Sequence, residues 1–544
     1  MSAWSEIEPR HDEVKKKRAI EEPRWRDIAR LMQSDEDLSG GNRNDQRQPN
    51  GDDPYDSTPL YAGDDYIGGM FSKATNPAER WFSWGVPSDP QLANWKPAKD
   101  YLYNYTSLIL ASIDPTIDNF YLNVPAWFGD MGMFGSGFMF QEEMVGQGRI
   151  VTPNLAITGC YKDVDANGDT DTFHREFRLT GRQAKSKWRD HPGLARMRDD
   201  EEAVFVHALY PNPEHKPGNP FAKYFPWRAC YVSPDKREFS VETGYLDFPV
   251  HEIQWAMRSG RVWARGPAHN ALPDMSSLDE VARSTMVGIQ FETEPMWWAA
   301  DEDVMTTSDI VPGNVLYGES TGAGKAPVQL LERGRQMQLP LQLQNDLRNQ
   351  VRRAFRFALA ATLGARPQMT AEEVQAFSQD ELKSLAPNLI RVQKGLASFI
   401  RRRALLLDRM GVVMRTIGPP PPELLRAAVT PTFVSPFVKA QKADTANGAT
   451  NWVSTKLKLF EVTQDPRYID DIDVDGYSSV LHDALSGVPS IKLDPRQVDQ
   501  LRQARAQEQQ QQLELQKQQI AAGIVADVAH AQQASTLAKG RGTK

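Results

Sequence analysis

Apolar residues along this chain change their spacing twice. Up to about residue 133 they recur every three or four positions, as they do on one side of a helix. Trp25, Ile28, Ala29 and Met32 line one face of a helix predicted over 11–33, and the same period returns over 59–72, 90–113 and 115–133. Between the first two lies "SDEDLSGGNRNDQRQPNGDDP" (34–54), which is polar, glycine-rich and nearly free of apolar residues, so a mobile loop is expected there. In "MFGSGFMF", Gly135 and Gly137 break the fourth helix ahead of an apolar strand. From 137 to 263 the pattern shifts to short aromatic and β-branched runs punctuated by Gly, Pro and Asp. "RIVTPNLAITGCYKDV", "AVFVHALY" and "REFSVETGYLDFPVHEIQW" are examples, and they predict strands. The N-terminal half therefore reads as α+β.

Helical spacing resumes around "GPAHNALPDMS" (266–276). A helix is expected over 274–294, with Leu278, Val281, Met286 and Ile289 on its stripe. Asp274, Asp279 and Glu280 crowd its first turns, where the helix dipole favours negative charge. Pro295 opens a 45-residue segment, 295–339, of short strand-like pieces. A second helix follows Pro340 and ends at Gly364. It carries Arg348, Arg352 and Arg356 at i, i+4 and i+8, along one face. After "ARPQMTAEEV" a long helix covers about 370–410, and the capping-box spacing of Thr370 and Glu373 marks its start. Pro419 to Pro422 interrupt the chain, and several helices fit between 437 and 487. The tail, 500–535, has nine Gln between 503 and 519 and no continuous apolar stripe. It is either a solvent-facing helix or disordered.

Composition narrows the classes of function. With 544 residues the chain holds two to four domain-sized units, and 40% apolar residues with 13 Trp and 22 Phe imply a folded core. A formal net charge of −8 argues against a general nucleic-acid binder held by a basic coat. It allows a protein that surrounds DNA without gripping it. Cys160 and Cys230 make no metal motif and at most one disulfide, which suits a reducing compartment. The basic run Lys15 to Arg18 leads into "AIEEPRWRD" rather than an apolar stretch, so no export signal is expected. No window approaches 18 uncharged apolar residues, so no membrane-spanning helix is expected.

Three stretches imitate known chemistry and fail in detail. "YGESTGAGKAP" (317–327) ends its glycine-rich run on Gly324 and Lys325, like a phosphate-binding loop. Such a loop needs G-x-x-x-x-G-K-[ST], because its amides curl around phosphates while the hydroxyl holds magnesium. Here Glu319 takes the leading glycine's place, Gly318 is one residue too far, and Ala326 replaces the hydroxyl. Pro327 then removes an amide where the helix should start, so the stretch reads as a surface loop. "DVDANGDTDTFH" (163–174) has the front half of a calcium loop in Asp163, Asp165, Asn167, Gly168, Asp169 and Asp171. Its twelfth position is His174 rather than a bidentate Glu, and a hairpin turn explains the composition. The "DED" at 301–303 reads as acidic loop residues. The nine histidines are scattered, without H-E-x-x-H, and no G-x-S-x-G occurs. No catalytic residue, metal or cofactor is expected.

The order of the remaining stretches carries a resemblance. "GPAHNALPDMSSLDEV" leads into the first helix of the pair, and "RPQMTAEEV" follows the second. "LAPNLIRVQKGLASFIRRRALLLDRMG" and "PTFVSPFVKAQKA" (431–443) come next. With the N-terminal "EPRWRDIARLM", "YDSTPLYAGDDYIGGMFSKATNPAERWFSW" and "MGMFGSGFMF", they resemble the portal, or head-to-tail connector, proteins of short-tailed phages (podoviruses). The likeness runs from about residue 20 to 480. It rests on an ordered series rather than one sharp motif, and the Gln-rich tail lies outside it.

The resemblance implies an α+β portal fold with a mixed α/β wing, a two-helix stem, a small α/β clip, a tunnel loop and a helical crown. On that mapping 1–273 and 373–436 form the wing, 274–294 and 340–364 the stem, and 295–339 the clip. The tunnel loop is 365–372, the crown 437–499, and 500–544 the tail. It also implies a homo-oligomeric ring, usually a dodecamer, at one capsid vertex of the virion, made in the host bacterial cytoplasm. A separate terminase pumps double-stranded DNA through such a ring without reading its sequence, and the DNA is later ejected through the tail. A tail adaptor protein, major capsid and scaffolding proteins and internal core proteins are the further partners implied, and no membrane.

In that frame Gly322, Gly324 and Lys325 belong to a clip loop that meets the terminase and then the adaptor. Gly364, Arg366, Pro367 and Gln368 form the tunnel loop, with Arg366 at its tip either touching phosphates or capping a carbonyl. Arg348, Arg352 and Arg356 either hold phosphates weakly on the channel face of the stem or pair with Asp279 and Glu280 of a neighbouring subunit. A packaging ATPase would need an intact phosphate loop. A tail-tube or internal core protein is the other alternative, and the helix–clip–helix order favours the portal over it.

Overall fold

The computed structural model describes residues 3–32, 53–144, 148–189, 191–293, 297–299, 315–317, 328–330, 338–355, 371–433, 436–484, 493 and 495–539. It divides into two compact units. The first comprises Met1–Gly85, Asn104–Pro420 and Ala428–Gln441, and the second Val86–Tyr103, Pro421–Ala427 and Lys442–Lys544. The polar stretch 34–54 is described only from Asp53 on.

Proline sets several helix boundaries that periodicity misses. Where spacing predicts one helix over 11–33 there are two, α1 (Ala3–Ala19) and α2 (Glu22–Leu31). Pro23 has no amide with which to extend α1, and it sits in the first turn of α2, where none is needed. Trp25, Ile28 and Ala29 are buried, as their stripe requires. After α3 (Thr58–Ala74) and β1 (Phe82–Gly85), the helix expected over 90–113 is also split. It becomes α4 (Pro90–Asn94) and α5 (Lys96–Ser112), because Pro97 cannot donate to the carbonyl one turn back. The start of α6 (Phe120–Phe134) falls later than expected. Asp114 first folds Thr116 into a turn, accepting its amide and hydroxyl at 2.9 and 2.6 Å. Gly135 ends α6 at φ +89°, with the Ala264 carbonyl standing where a Cβ would be.

The next 120 or so residues are the strands that alternation and aromatic runs predict. β2 (Ser136–Phe140) is flanked by β11 (Val250–Gln254) and β5 (Asn154–Leu155), and β3 (Glu142–Met144) forms a hairpin with β4 (Arg149–Val151). β6 (Cys160–Val164), β7 (Thr170–Thr180), β8 (Glu202–Pro211), β9 (Trp227–Val232) and β10 (Ser240–Tyr245) make an antiparallel sheet in the order β10-β9-β8-β7-β6. A short helix, α7 (Gly181–Lys187), follows β7. The central strand β8 is buried on both faces. Val206, Ala208 and Tyr210 meet Ile7 of α1, while Ala203 and Phe205 meet Ala184 and Phe239. Double burial is why "AVFVHALY" runs apolar without alternation. The main core gathers Trp25, Phe134, Phe138, Phe173, Leu209 and Trp263 from α2, α6, β2, β7, β8 and the loop before the next helix.

That next helix, α8 (Pro267–Thr293), begins seven residues before the expected position 274. Burial of Pro267, Ala268, His269 and Ala271 keeps its first turns helical despite Pro273, and the Gly266 amide donates to His269 Nδ1 at 3.2 Å. β12 (Trp297–Ala299) pairs parallel to β13 (Val315–Tyr317) and antiparallel to β14 (Val328–Leu330). α9 (Gln338–Phe355) then packs against α8. The long helix expected over 370–410 is α10 (Ala371–Arg409). It lies so close to β11 that the Glu252 carbonyl occupies the place a Cβ on Gly395 would take. After α11 (Val412–Thr416), β15 (Thr430–Phe433) returns to pair with β1.

The second unit is largely helical, with most of α12 (Pro436–Thr463), then α13 (Val474–Ala484) and α14 (Pro495–Lys539). Of the two forms the Gln-rich tail could take, α14 is the solvent-facing helix: every side chain from Leu501 to Ile520 is exposed.

Candidate functional site

The helical pair α8 and α9 is joined through a short segment before α3. Asp56 opens α3 with an Asx turn, its Oδ1 accepting the Thr58 amide at 2.9 Å. Its Oδ2 accepts Arg348 Nε at 2.9 Å and Gln344 Nε2 at 3.3 Å, both from α9. Burial pushes the Asp56 carboxyl up, but the bonds from Thr58 and Arg348 outweigh burial and hold it below the usual carboxylate range. One residue earlier, the Tyr55 amide donates to Asp279 of α8 at 2.7 Å, and Arg30 of α2 reaches the same carboxylate at 3.2 Å. Tyr55 and Asp56 thus staple both helices of the pair.

Within the chain Arg348 pairs with Asp56, not with the carboxylates of α8. Asp279 is held by Arg30 and Tyr55, and Glu280 lies 3.5 Å from Arg283. Spacing put Arg348 and Arg352 on one side of the helix, and Arg352 is exposed one turn further on. Arg356, the clip residues Gly322, Gly324 and Lys325, and the tunnel-loop residues Gly364, Arg366, Pro367 and Gln368 lie outside the described residues, as does Thr370.

The acidic turn at 163–171 is occupied by structure. Asp165 Oδ1 accepts the Asn167 and Asp169 amides at 2.8 and 2.9 Å, and Gly168 takes φ +84°. Asp163 pairs with Lys17, and Asp169 pairs with Lys394. It is the hairpin joining β6 to β7. Among the described residues no group of three His, Cys, Asp or Glu side chains could hold a metal ion. Cys160 and Cys230 are buried and form no disulfide, and burial pushes the Cys230 thiol up.

Sequence reasoning missed a set of buried ion pairs. Arg403 of α10 lies 2.8 Å from Asp118, with side chains 2% and 0% exposed, and donates to Ser112 Oγ at 3.0 Å. Arg402 donates to Asp247 at 2.6 Å and to the Gln141 carbonyl at 3.0 Å. Lys162 pairs with Glu252, which also accepts the Ser136 and Thr170 hydroxyls at 2.8 and 2.6 Å. One signal was present: in "SFIRRRALLL", Arg403 shares a helical face with the apolar Phe399 and Ile400. These pairs anchor α10 to the strands and to the α5–α6 turn. None is arranged for catalysis.

Comparison with known proteins covers nearly the whole chain. The family model for bacteriophage head to tail connecting protein matches residues 5–491. The chain is 25% identical over 461 residues to the "Probable portal protein" of Bordetella phage BPP-1, covering 81% of this chain and 80% of that protein. It is 25% identical over 532 residues to the "Portal protein" of Salmonella phage epsilon15, covering 92% and 90%. Because the match takes in the sheet, the helical pair and the strands between its helices, and not a single motif, the chain belongs to the bacteriophage head to tail connecting protein family.

Proposed function

We propose that the protein is the subunit of a closed ring, of twelve copies, set at one vertex of the capsid in the virion. Double-stranded DNA passes through the ring without being read, driven in by a separate terminase and released through a tail held by an adaptor. Capsid and scaffolding proteins surround the ring, and synthesis takes place in the host bacterial cytoplasm. The observation that carries this reading is the connector-family match over 5–491, laid on a chain whose α8 leads out to short strands and whose α9 returns. On this reading α8 and α9 form the stem, β12 to β14 belong to the clip, and the strands with α10 form the wing. Arg348 is already neutralised by Asp56. That leaves the exposed Arg352 as a weak phosphate contact, which suits sliding better than grip. The protein performs no catalysis of its own.

Electron microscopy and native mass spectrometry of the purified chain test the ring: a closed annulus with a central hole is expected, because head-to-tail contacts close when the rotation permits. Folded monomers across physiological salt, or magnesium-dependent ATP turnover lost in Lys325→Ala, would overturn it. In an assembling phage, Arg366→Glu is expected to leave rings intact and reduce retained DNA. Parental packaging and retention in that variant would remove the tunnel-loop role of Arg366.

A further inference from the structure

We propose that the cleft between α7 and the β3–β4 hairpin binds an acidic peptide segment carrying an aromatic side chain, supplied by a protein other than this chain. The cleft encloses about 720 Å³, within the range of peptide and ligand sites. Its floor is aromatic. His207 stacks on Tyr231 with centroids 3.9 Å apart and planes at 7°, and Phe140 meets His207 edge-on at 5.7 Å. The hairpin wall presents Glu142 and Val151, which face each other in register, and Met144 two residues on. The opposite wall carries Arg182 and Lys187 from α7 and Arg175 from β7.

Charge sets this cleft apart from the rest of the chain. Three cations face one carboxylate, a local excess of two positive charges in a protein whose formal net charge is −8. The carboxylate is engaged: Tyr245 donates its hydroxyl to Glu142 at 3.3 Å. Lys187 lies over the rings of Trp188 and Tyr231 at 5.3 and 5.1 Å. Among the described residues neither Arg182 nor Lys187 has a carboxylate within ion-pair distance. A basic face on a surface helix is ordinarily just solvated. Here the same cations border an aromatic-floored cavity, and that combination suits an anion attached to an apolar body.

The floor of the cleft favours a peptide over a phosphate. Arg182 and Lys187 are five residues apart on α7, about 7.5 Å along its axis and about 140° around it, and both border the cleft. A lone phosphate would leave the rings of Phe140, His207 and Tyr231 uncovered, whereas an acidic peptide brings carboxylates and an aromatic side chain together. The backbone of α7 offers a phosphate no cradle, since Thr180 and Gln183 close a capping box over its first turn.

The described residues of a second copy do not provide such a segment. Among the described residues the exposed aromatic side chain next to a carboxylate in sequence is Tyr55, and its neighbour Asp56 is bound by Arg348.

Fluorescence anisotropy on the assembled full-length protein tests the site, with a labelled peptide alternating glutamate and phenylalanine as the probe. Saturable binding is expected, weakened at least about tenfold in the R182E/K187E variant. Met144→Glu, which places a negative charge on the opposite wall, is expected to weaken it as well. Both variants should keep the parent's oligomeric state and melting temperature, and a peptide with lysine for glutamate should not bind. The proposal fails if binding is absent or equally tight in R182E/K187E and Met144→Glu. Displacement by equimolar inorganic phosphate or AMP would make it a phosphate site instead. Disassembly of the oligomer in R182E/K187E would assign the cleft to a neighbouring copy.

Discussion

The two units handle charge in opposite ways. In the first, Arg403 and Asp118 are almost wholly withdrawn from water, as are Lys162 and Glu252, and each pair is wrapped in further hydrogen bonds. In the second, Arg502 meets Asp475 with both side chains more than half exposed, on helices whose surfaces are largely polar. Equal formal charges thus do different work. A buried pair pins elements distant in sequence, because separating its partners leaves a charge stranded in a low-dielectric interior. An exposed pair merely trades one hydrated state for another. Stability should therefore be concentrated in the first unit, and its buried arginines, Arg402 and Arg403, should be intolerant of change while those of the C-terminal helices are not.

The sharpest way to break this contrast is Arg403→Ala. Asp118 would remain buried without its counter-ion, and the expected loss is about 3–5 kcal/mol in chemical unfolding. Pairing it with Asp118→Leu should recover much of that loss, since an apolar replacement of both partners leaves nothing stranded. Should Arg403→Ala unfold at the parental denaturant concentration, the contrast collapses.

An intermediate effect is expected where α1 docks on the sheet. His11 and His174 are stacked with their Nδ1 atoms 3.2 Å apart, and Glu176 lies 3.4 Å from His11 Nε2. Burial, reinforced by His11 and Arg10, pushes the His174 imidazole down to about 3. The unfolded chain takes up that proton near the ordinary 6.5, so it binds more protons than the fold between those values. Stability therefore falls as pH drops from 6.5 toward 3. The Glu176 carboxyl is held down to about 2 by its bond from His11, with Lys15 also opposing burial. Its contribution is present above 4.5 and is lost as pH falls toward 2. His174→Gln should flatten the pH dependence, by about 2–3 kcal/mol between pH 6.5 and 4. Unfolding curves with the same slope against pH in both proteins would remove His174 from the account.

The smallest effect belongs to the second unit. Arg502→Ala should leave the unfolding midpoint where it is, because both partners are well exposed and the geometry holds no buried group. A clear destabilisation would mean that α14 is tied down more firmly than its exposed surface suggests.

Much of the fold is legible in the sequence. The strand region after Gly135, the hairpin at 163–171, the long helix α10 and the order helix–strands–helix all follow from interactions within a few residues: side-chain period, glycine at positive φ, proline without an amide, and short Asx turns. Errors gathered where a local rule met burial. Proline split the helices at Pro23 and Pro97, yet Pro273 did not, because the turn around it is packed in the interior. The candidate site was legible only in part. Arg348 and Arg352 lie on one helix, α9, as their spacing predicts, whereas the cleft beside α7 left no trace in any motif.

By itself the sequence determined which elements form, which face of each is apolar and which family its ordered stretches belong to, because those properties are encoded by neighbours along the chain. Only the tertiary structure decided who meets whom. Arg348 finds Asp56 across 292 residues, and Arg403 finds Ser112 across 291. No local pattern specifies such partners. A buried charge must be matched by whatever the returning chain brings near it, and that is settled only when the whole core closes.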